Sequence, residues 1–273
     1  MKILILSGST KFRTVSFLNH QYFCDKNSYQ YIYEFIPTQE KLKANYLYKI
    51  HILKKYSYVA RSFDYIFWID DDVLFTDFKN HKPLEKIIEN SSFPNLLFAK
   101  SPTDAPKGNT WISSGNFFFT PNNLLFDFFE ECLKIDPLIV KKEWDYIKYG
   151  DYWGGDQEII TYLLNKNHKK YNFKFKRVNY RFFNTRPYHY KVLKNVLLVH
   201  FTGSRKSYQF SKFAKKYKAP NNVLIPNKIL YKYIKNMDPI FLLNLRIRSY
   251  FAIYVIPFPK KIIKAIWNSV FQK

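Results

Sequence analysis

Three consecutive aspartates, Asp70, Asp71 and Asp72, interrupt the apolar run "YIFWIDDDVLF" from Tyr65 to Phe75. Aromatic and β-branched residues at this density read as a strand. Unpaired carboxylates buried in it would cost several kcal/mol or take up protons, so something positive must meet them. A divalent cation suits hard carboxylate oxygens; a Lys/Arg ion-pair network is the other candidate, and an exposed turn that merely begins with Asp is the plainest. Farther along, "GGDQEII" opens a helical pattern with Asp156 as its N-cap and Glu158 in the first turn. Capping accounts for Asp156 but leaves Gln157 unexplained. Finally "VHFTGSRK" ends an apolar strand in His200, with Gly203, Arg205 and Lys206 behind it. A lone histidine in such a place is more often structural than a ligand.

The elements that must carry these residues alternate. Ile3 to Leu6 is a short strand followed by the turn Ser7-Gly8-Ser9, the stretch to about Lys26 reads as a helix, and "YQYIYEFIP" is a second strand ended by Pro37. In "EKLKANYLYKIHILKKY", Leu42, Tyr46, Ile50 and Leu53 recur on one helix face before the aspartate strand. "WISSGNFFFT" reads as a strand entered through Ser113-Ser114-Gly115, "NNLLFDFFEECLKI" as a helix, and Ile159, Ile160, Leu163 and Leu164 as the buried stripe of another. This order implies an α/β fold, a mostly parallel sheet with helices on its faces. Ligands of such sheets sit at the carboxyl ends of strands, where the aspartates lie.

Composition bounds the rest. A chain of 273 residues, 47% hydrophobic and 20% aromatic with only 7 Gly, buries a proper core and is neither disordered nor fibrous. Cys24 and Cys132 form no framework, which suits free thiols in a reducing compartment. "MKILILSGST" has too short an apolar run for a signal peptide and reads as the first strand, so the expected location is cytoplasmic. The formal charge is +23, and from Phe201 onward 15 Lys and Arg face Asp238 alone, a net of +14. Arg246, Arg248, Pro257 and Pro259 break up the apolar tail, so it does not span a membrane. Basic residues alternating with Trp, Phe and Ile suit either a segment lying on an anionic membrane surface, at the inner face of the cell membrane, or an element packed on the domain. Nucleic acid is not expected, since no base-reading or stacking motif accompanies the charge.

Together these motifs resemble retaining glycosyltransferases of the GT-A fold. "NHQYFCDKNSYQYIYEF", "NYLYKIHILKKY", "FDYIFWIDDDVLF", "GGDQEII" and "VHFTG" are similar in order and spacing to glycosyltransferase family 34, the galactosyl, mannosyl and xylosyl transferases. "VHFTGSRK" looks equally like the end motif of family 8, although Ser207 and Tyr208 stand where that family continues with Pro-Trp. The resemblance implies a GT-A catalytic domain over residues 1–210, with 211–273 as a basic, aromatic extension. It implies a nucleotide-sugar donor, a UDP-sugar favoured, and Mn²⁺ or Mg²⁺ held by Asp70, Asp72 and His200. Asp71 is spared metal duty and counted with the nucleotide sugar. By the same resemblance Lys206, with Arg205 as substitute, meets the diphosphate beside Gly203. Asp156 meets the donor sugar hydroxyls, Gln157 approaches the anomeric carbon, and Ser114 and Gly115 line the sugar pocket. Ser7, Gly8 and Ser9 hold the nucleoside. Lys49 matches a lysine of the family 34 helix, against the ordinary expectation of a solvated side chain. The implied acceptor is a saccharide or lipid-linked saccharide, in bacterial surface polysaccharide or lipooligosaccharide synthesis. A metal-dependent phosphohydrolase or nuclease, and a non-catalytic carbohydrate-binding protein, stay open as other classes.

Overall fold

The structure, a computed structural model, describes residues 1–10, 14–36, 47–102, 110–166, 170–190, 196–203, 206–235 and 237, without the side chains of 206 and 207. Leu42, Tyr46, Arg205, the Lys206 side chain and the tail from 238 onward, which holds much of the expected basic extension, lie outside the described residues.

The chain opens β1 (Ile3–Ser9), α1 (Ser16–Asn27), β2 (Gln30–Phe35), α2 (Tyr48–Lys55), α3 (Ser57–Ala60) and β3 (Tyr65–Asp70). It continues β4 (Val73–Phe75), α4 (Pro83–Asn90), β5 (Leu96–Ala99), β6 (Ser113–Phe119) and α5 (Asn123–Lys134). After α6 (Pro137–Lys142), α7 (Tyr146–Tyr149) and α8 (Asp156–Lys166) come β7 (Phe175–Val178), α9 (Tyr180–Phe183), β8 (Leu198–His200), α10 (Lys206–Lys216) and α11 (Asn227–Ile234). The main sheet has the order β2-β1-β3-β6-β5-β7. β1 runs parallel to β2 and β3, β6 antiparallel to β3 and β5, and β7 parallel to β5, so only β6 is reversed. The expected α/β architecture is the one observed.

Alternation along the strands divides the core between the two faces of the sheet. Leu4, Leu6, Trp68 and Phe117 join side chains of α2, α5 and α8 on one face. Ile3, Ile5, Phe67 and Phe118 join those of α1 and α4 on the other. Parallel ring stacks, Phe23 on Phe75 at 3.6 Å and Phe67 on Phe118 at 4.3 Å between centroids, tie that second layer to the sheet. Such pairs are worth about 0.5–1.5 kcal/mol each beyond their burial.

One local expectation changes. Ser7-Gly8-Ser9 is not a turn: β1 continues through Ser9, because it pairs on both sides, with Gly8 opposite Glu34 of β2 and Asp70 of β3. Gly8 is needed there, since a Cβ would sit 2.6 Å from the Glu34 carbonyl oxygen and 2.5 Å from Ile52 Cδ1. The strand from Tyr65 ends at the aspartates, as the sequence suggests, and the apolar chain that resumes, β4, leaves the main sheet and pairs with β8 in a separate two-stranded one. Side chains of α1 and the residues before it pull it away. Thr14 Oγ1 and Ser16 Oγ each donate to the Asp71 carbonyl at 2.7 Å, and Asn19 both accepts from the Phe75 N–H and donates to its carbonyl.

Residue 210, the expected end of the first domain, falls inside α10. Phe210 and Phe213 pack with Leu74, Val199 and Phe201, and beyond them Asn19 Nδ2 donates to the Val223 carbonyl at 2.8 Å. Among the described residues no helix is long and apolar enough to cross a membrane, and both Cys24 and Cys132 are buried, free thiols.

Candidate active site

Asp70 ends β3, Asp72 follows it in the turn, and His200 ends β8; their ligand atoms all lie within 4.8 Å of one another. The turn between β3 and β4 makes this convergence. Val73 pairs with His200 in the small sheet, and the Phe201 N–H donates to the Asp72 carbonyl at 2.8 Å. His200 Nε2 stands 3.2 Å from Asp72 Oδ1.

The orientation of the imidazole follows from a residue the sequence reading missed. Asn184, fully buried, accepts from Arg186 Nη1 at 3.2 Å through Oδ1. A guanidinium only donates, so the atom it meets must be the amide oxygen. The same Oδ1 lies 2.9 Å from His200 Nδ1, which must therefore carry the proton. Nε2 is then the ring nitrogen turned toward Asp72, placed to ligate a metal. Gly115 of β6 makes room for the ring: a Cβ there would lie 2.9 Å from Nε2 and closer still to Cε1.

Lys49 of α2 is the second organising group, and it is not solvated but 2% exposed. Its ammonium lies 3.2 Å from Asp70 Oδ1 and 3.0 Å from Asp156 Oδ2, and donates to the Ser114 carbonyl at 2.8 Å. Burial would lower its pKa, but the charges of Asp156 and Asp70 outweigh that and hold it at about 12. The pKa of Asp70 is raised as well, which for a carboxyl favours the neutral form. Burial raises its carboxyl, Lys49 opposes this, and the charges of Asp72 and Asp156 add to the rise. Trp68 Nε1 donates to Asp70 Oδ1 at 2.7 Å.

Asp156 is consequently not the N-cap of its helix. It is the first residue of α8, and its carboxylate goes to Lys49. The cap is supplied by Glu158, whose Oε2 accepts from the Gly155 N–H at 2.7 Å, the reach-back half of a capping box. Gln157 Oε1 accepts from the Ser114 N–H at 3.3 Å, so Lys49 and Gln157 hold the two backbone groups of one β6 residue. Ser7, Gly8 and Ser9 lie along the same carboxyl edge, where Ser9 Oγ meets the Tyr33 hydroxyl at 2.7 Å. Asp71 is buried, with its carbonyl held by Thr14 and Ser16. Gly203, at φ +93°, adopts a left-handed conformation and lines, with Gln157 and Arg186, a cleft of about 880 Å³ beside His200. Lys206 opens α10.

Asp70, Asp72 and Asp156 bring three carboxylates against one buried ammonium, an excess of negative charge that a divalent cation would neutralise. Two carboxylates and an imidazole whose Nε2 faces them are a sound donor set for one. The residues present therefore fit a metal.

No protein-family model matches this chain, and no curated protein matches it. Solved structures do. A glycosyltransferase involved in the glycosylation of the major capsid of PBCV-1 matches 79% of this chain and 100% of its own, at 17% identity and a TM-score of 0.58. The bifunctional glycosyltransferase WbbM matches 76% of this chain and 46% of its own, at 12% identity and a TM-score of 0.45. GlyE of Streptococcus pneumoniae TIGR4 matches 86% of this chain and 63% of its own, at 12% identity and a TM-score of 0.42. The chain thus shares the α/β fold of the PBCV-1 glycosyltransferase, with its Asp-Asp-His cluster at the carboxyl edge of the sheet.

Proposed function

We propose that the protein is a metal-dependent retaining glycosyltransferase moving a hexose or pentose from a nucleotide sugar, a UDP-sugar favoured, to a saccharide or lipid-linked saccharide. The observation that carries this reading is the meeting of Asp70, Asp72 and His200 with the Lys49–Asp156 pair at the carboxyl edge of a sheet that shares a glycosyltransferase's fold. The motif resemblance to families 34 and 8 supports it independently.

Asp70, Asp72 and His200 hold the cation, and the nitrogen donor favours Mn²⁺ over Mg²⁺. When bound, the cation acts as a Lewis acid for the departing diphosphate. Ser7, Gly8, Ser9 and Asp71 lie on the nucleoside side. Lys206 and the Gly203 turn serve the diphosphate. Asp156, held in place by Lys49, accepts from donor sugar hydroxyls, and Ser114, Gly115 and Gln157 border the sugar. Without a carboxylate placed as a covalent nucleophile, we favour attack on the face of the leaving group. The acceptor oxygen bonds to the anomeric carbon as the bond from that carbon to the phosphate oxygen breaks, and the acceptor's proton passes to that departing oxygen. A role in bacterial surface polysaccharide or lipooligosaccharide synthesis, at the cytoplasmic face of an anionic membrane, fits the basic tail.

A screen of nucleotide sugars for Mn²⁺-dependent hydrolysis and thermal stabilisation tests the reading. One uridine or guanosine sugar should respond, and Asp72→Asn, which keeps shape but loses charge, should abolish turnover while the fold persists. Near wild-type turnover in that variant would overturn the metal assignment.

A further inference from the structure

The cleft beside His200 contains more positive charge than donor chemistry uses. Arg186 is 8% exposed, yet its one described hydrogen bond goes to a neutral amide, and among the described residues it has no ion pair. Burial lowers its pKa to about 10, against the opposing charge of Asp72, so the guanidinium, which has five N–H donors, remains charged at neutral pH where it lines the cleft. Lys212 and Lys216, exposed and four residues apart on α10, line the same cleft, and no Asp or Glu among the described residues lines it. At 1.5 Å per residue these lysines stand about 9 and 15 Å along the helix from Lys206, too far for one diphosphate to occupy all three. Across from them Trp153, 63% exposed, and Tyr188, 46% exposed, offer ring faces of the kind that take the apolar side of a sugar.

We propose that this cleft receives an acidic saccharide: an acceptor whose sugar carries a phosphate or carboxylate away from the hydroxyl that is glycosylated. The aromatic faces take the ring, Arg186 takes the anion where water is excluded, and Lys212 and Lys216 extend the basic wall toward further acidic units. The inference deepens the glycosyltransferase reading and rests on it for the word acceptor.

Titration of the full chain with glucose 6-phosphate, glucuronate, glucose and inorganic phosphate, followed by tryptophan fluorescence with Trp153→Phe as the control for signal origin, tests it. At least one acidic sugar should bind about tenfold more tightly than glucose; Arg186→Gln, its folding checked by thermal unfolding, should lose most of that preference, and the double variant K212A/K216A a smaller part of it. Which acid binds better distinguishes a phosphate-bearing from a carboxylate-bearing source. Equal affinity for acidic and neutral sugars, inorganic phosphate binding as tightly as glucose 6-phosphate, or a preference unchanged in Arg186→Gln (in K212A/K216A, should that variant not fold) would each overturn the proposal. Binding of uridine and guanosine diphosphates with Mn²⁺, measured in parallel, separates the two readings. Nucleotide binding without acid preference sinks this inference alone, whereas acid preference without nucleotide binding sinks the transferase reading and leaves the cleft's selectivity standing.

Discussion

Lys49 shows how a single side chain sets the state of a whole site. Its ammonium is the described counter-charge in contact with both Asp70 and Asp156, and it also holds the Ser114 carbonyl. Removing one partner of a buried charge cluster leaves the others uncompensated, at a cost of about 3–5 kcal/mol. Lys49→Met should therefore lower the unfolding free energy by that order. Added Mn²⁺ should stabilise the variant more than the wild type, because the cation then opposes three carboxylates with no ammonium beside them. Thermal unfolding of both proteins with and without Mn²⁺ measures this, and equal metal-induced shifts would mean that Lys49 and the cation site are uncoupled. His20 gives a second residue-scale expectation. Buried against Phe75, with Nε2 on the Val73 carbonyl and Nδ1 at the Tyr31 hydroxyl, its pKa falls from 6.5 to about 4, chiefly through burial. The unfolded chain then binds the proton more readily than the folded one between those values, so stability is complete above about pH 6.5 and falls as pH drops toward 4. The loss attributable to His20 approaches about 3 kcal/mol. Urea unfolding at pH 7 and pH 4.5 should show a smaller difference for His20→Phe than for the wild type.

Among the elements, β6 does the most to bring the halves of the site together. It is the reversed strand of the sheet, and its register puts Ser114 between Lys49 and Gln157 and Gly115 under the His200 ring. A methyl at position 115 has nowhere to go, since the ring is fixed by Asn184 on one side and Asp72 on the other. Gly115→Ala should cost about 1–3 kcal/mol of stability through overpacking and, by moving the ring, weaken Mn²⁺ binding at least tenfold. Calorimetric titration with Mn²⁺ reads the second effect, and unchanged affinity would remove His200 from the ligand set. The α1 helix matters in a different way. Thr14, Ser16 and Asn19 spend their polar atoms on the backbone of Asp71 and Phe75, which turns β4 out of the main sheet and toward β8.

On the scale of the whole molecule the basic excess raises the question of which surfaces the protein meets. Each Lys or Arg near an anionic leaflet contributes about 1 kcal/mol, so the +14 balance after Phe201 suffices for salt-sensitive binding. A truncation that tests this must spare the packed part of the extension. Val223 and Ile225 are buried, and the Tyr233 hydroxyl donates to Asp25 of α1. A chain ending at Met237 should keep the unfolding transition of the full chain and sediment less with anionic liposomes, the difference shrinking as salt is added. Equal sedimentation of the two chains would assign vesicle binding to residues 1–237.

Much of this was legible in the sequence because it is local. Apolar periodicity marks the strands and helices whatever surrounds them, and an Asp-x-Asp after a strand, an Asp-Gln before a helix and a His-Phe-x-Gly after another strand keep their order along the chain. The pairing of β4 with β8, the strand character of Ser7 to Ser9 and the loss of Asp156 as a cap were not legible, since each depends on a partner more than twenty residues away. Lys49 lies between Tyr48 and Ile50 with the same neighbours whether its ammonium meets water or two carboxylates. Only the approach of α2, β3 and α8 decides which. Asn184 and Arg186 belong to no motif, and their roles arise because α9 ends beside β8, where a buried amide oxygen must find donors. Residue types and order therefore determined the kind of chemistry, while the tertiary structure decided which charges are buried together, and with that which nitrogen of His200 is left to bind.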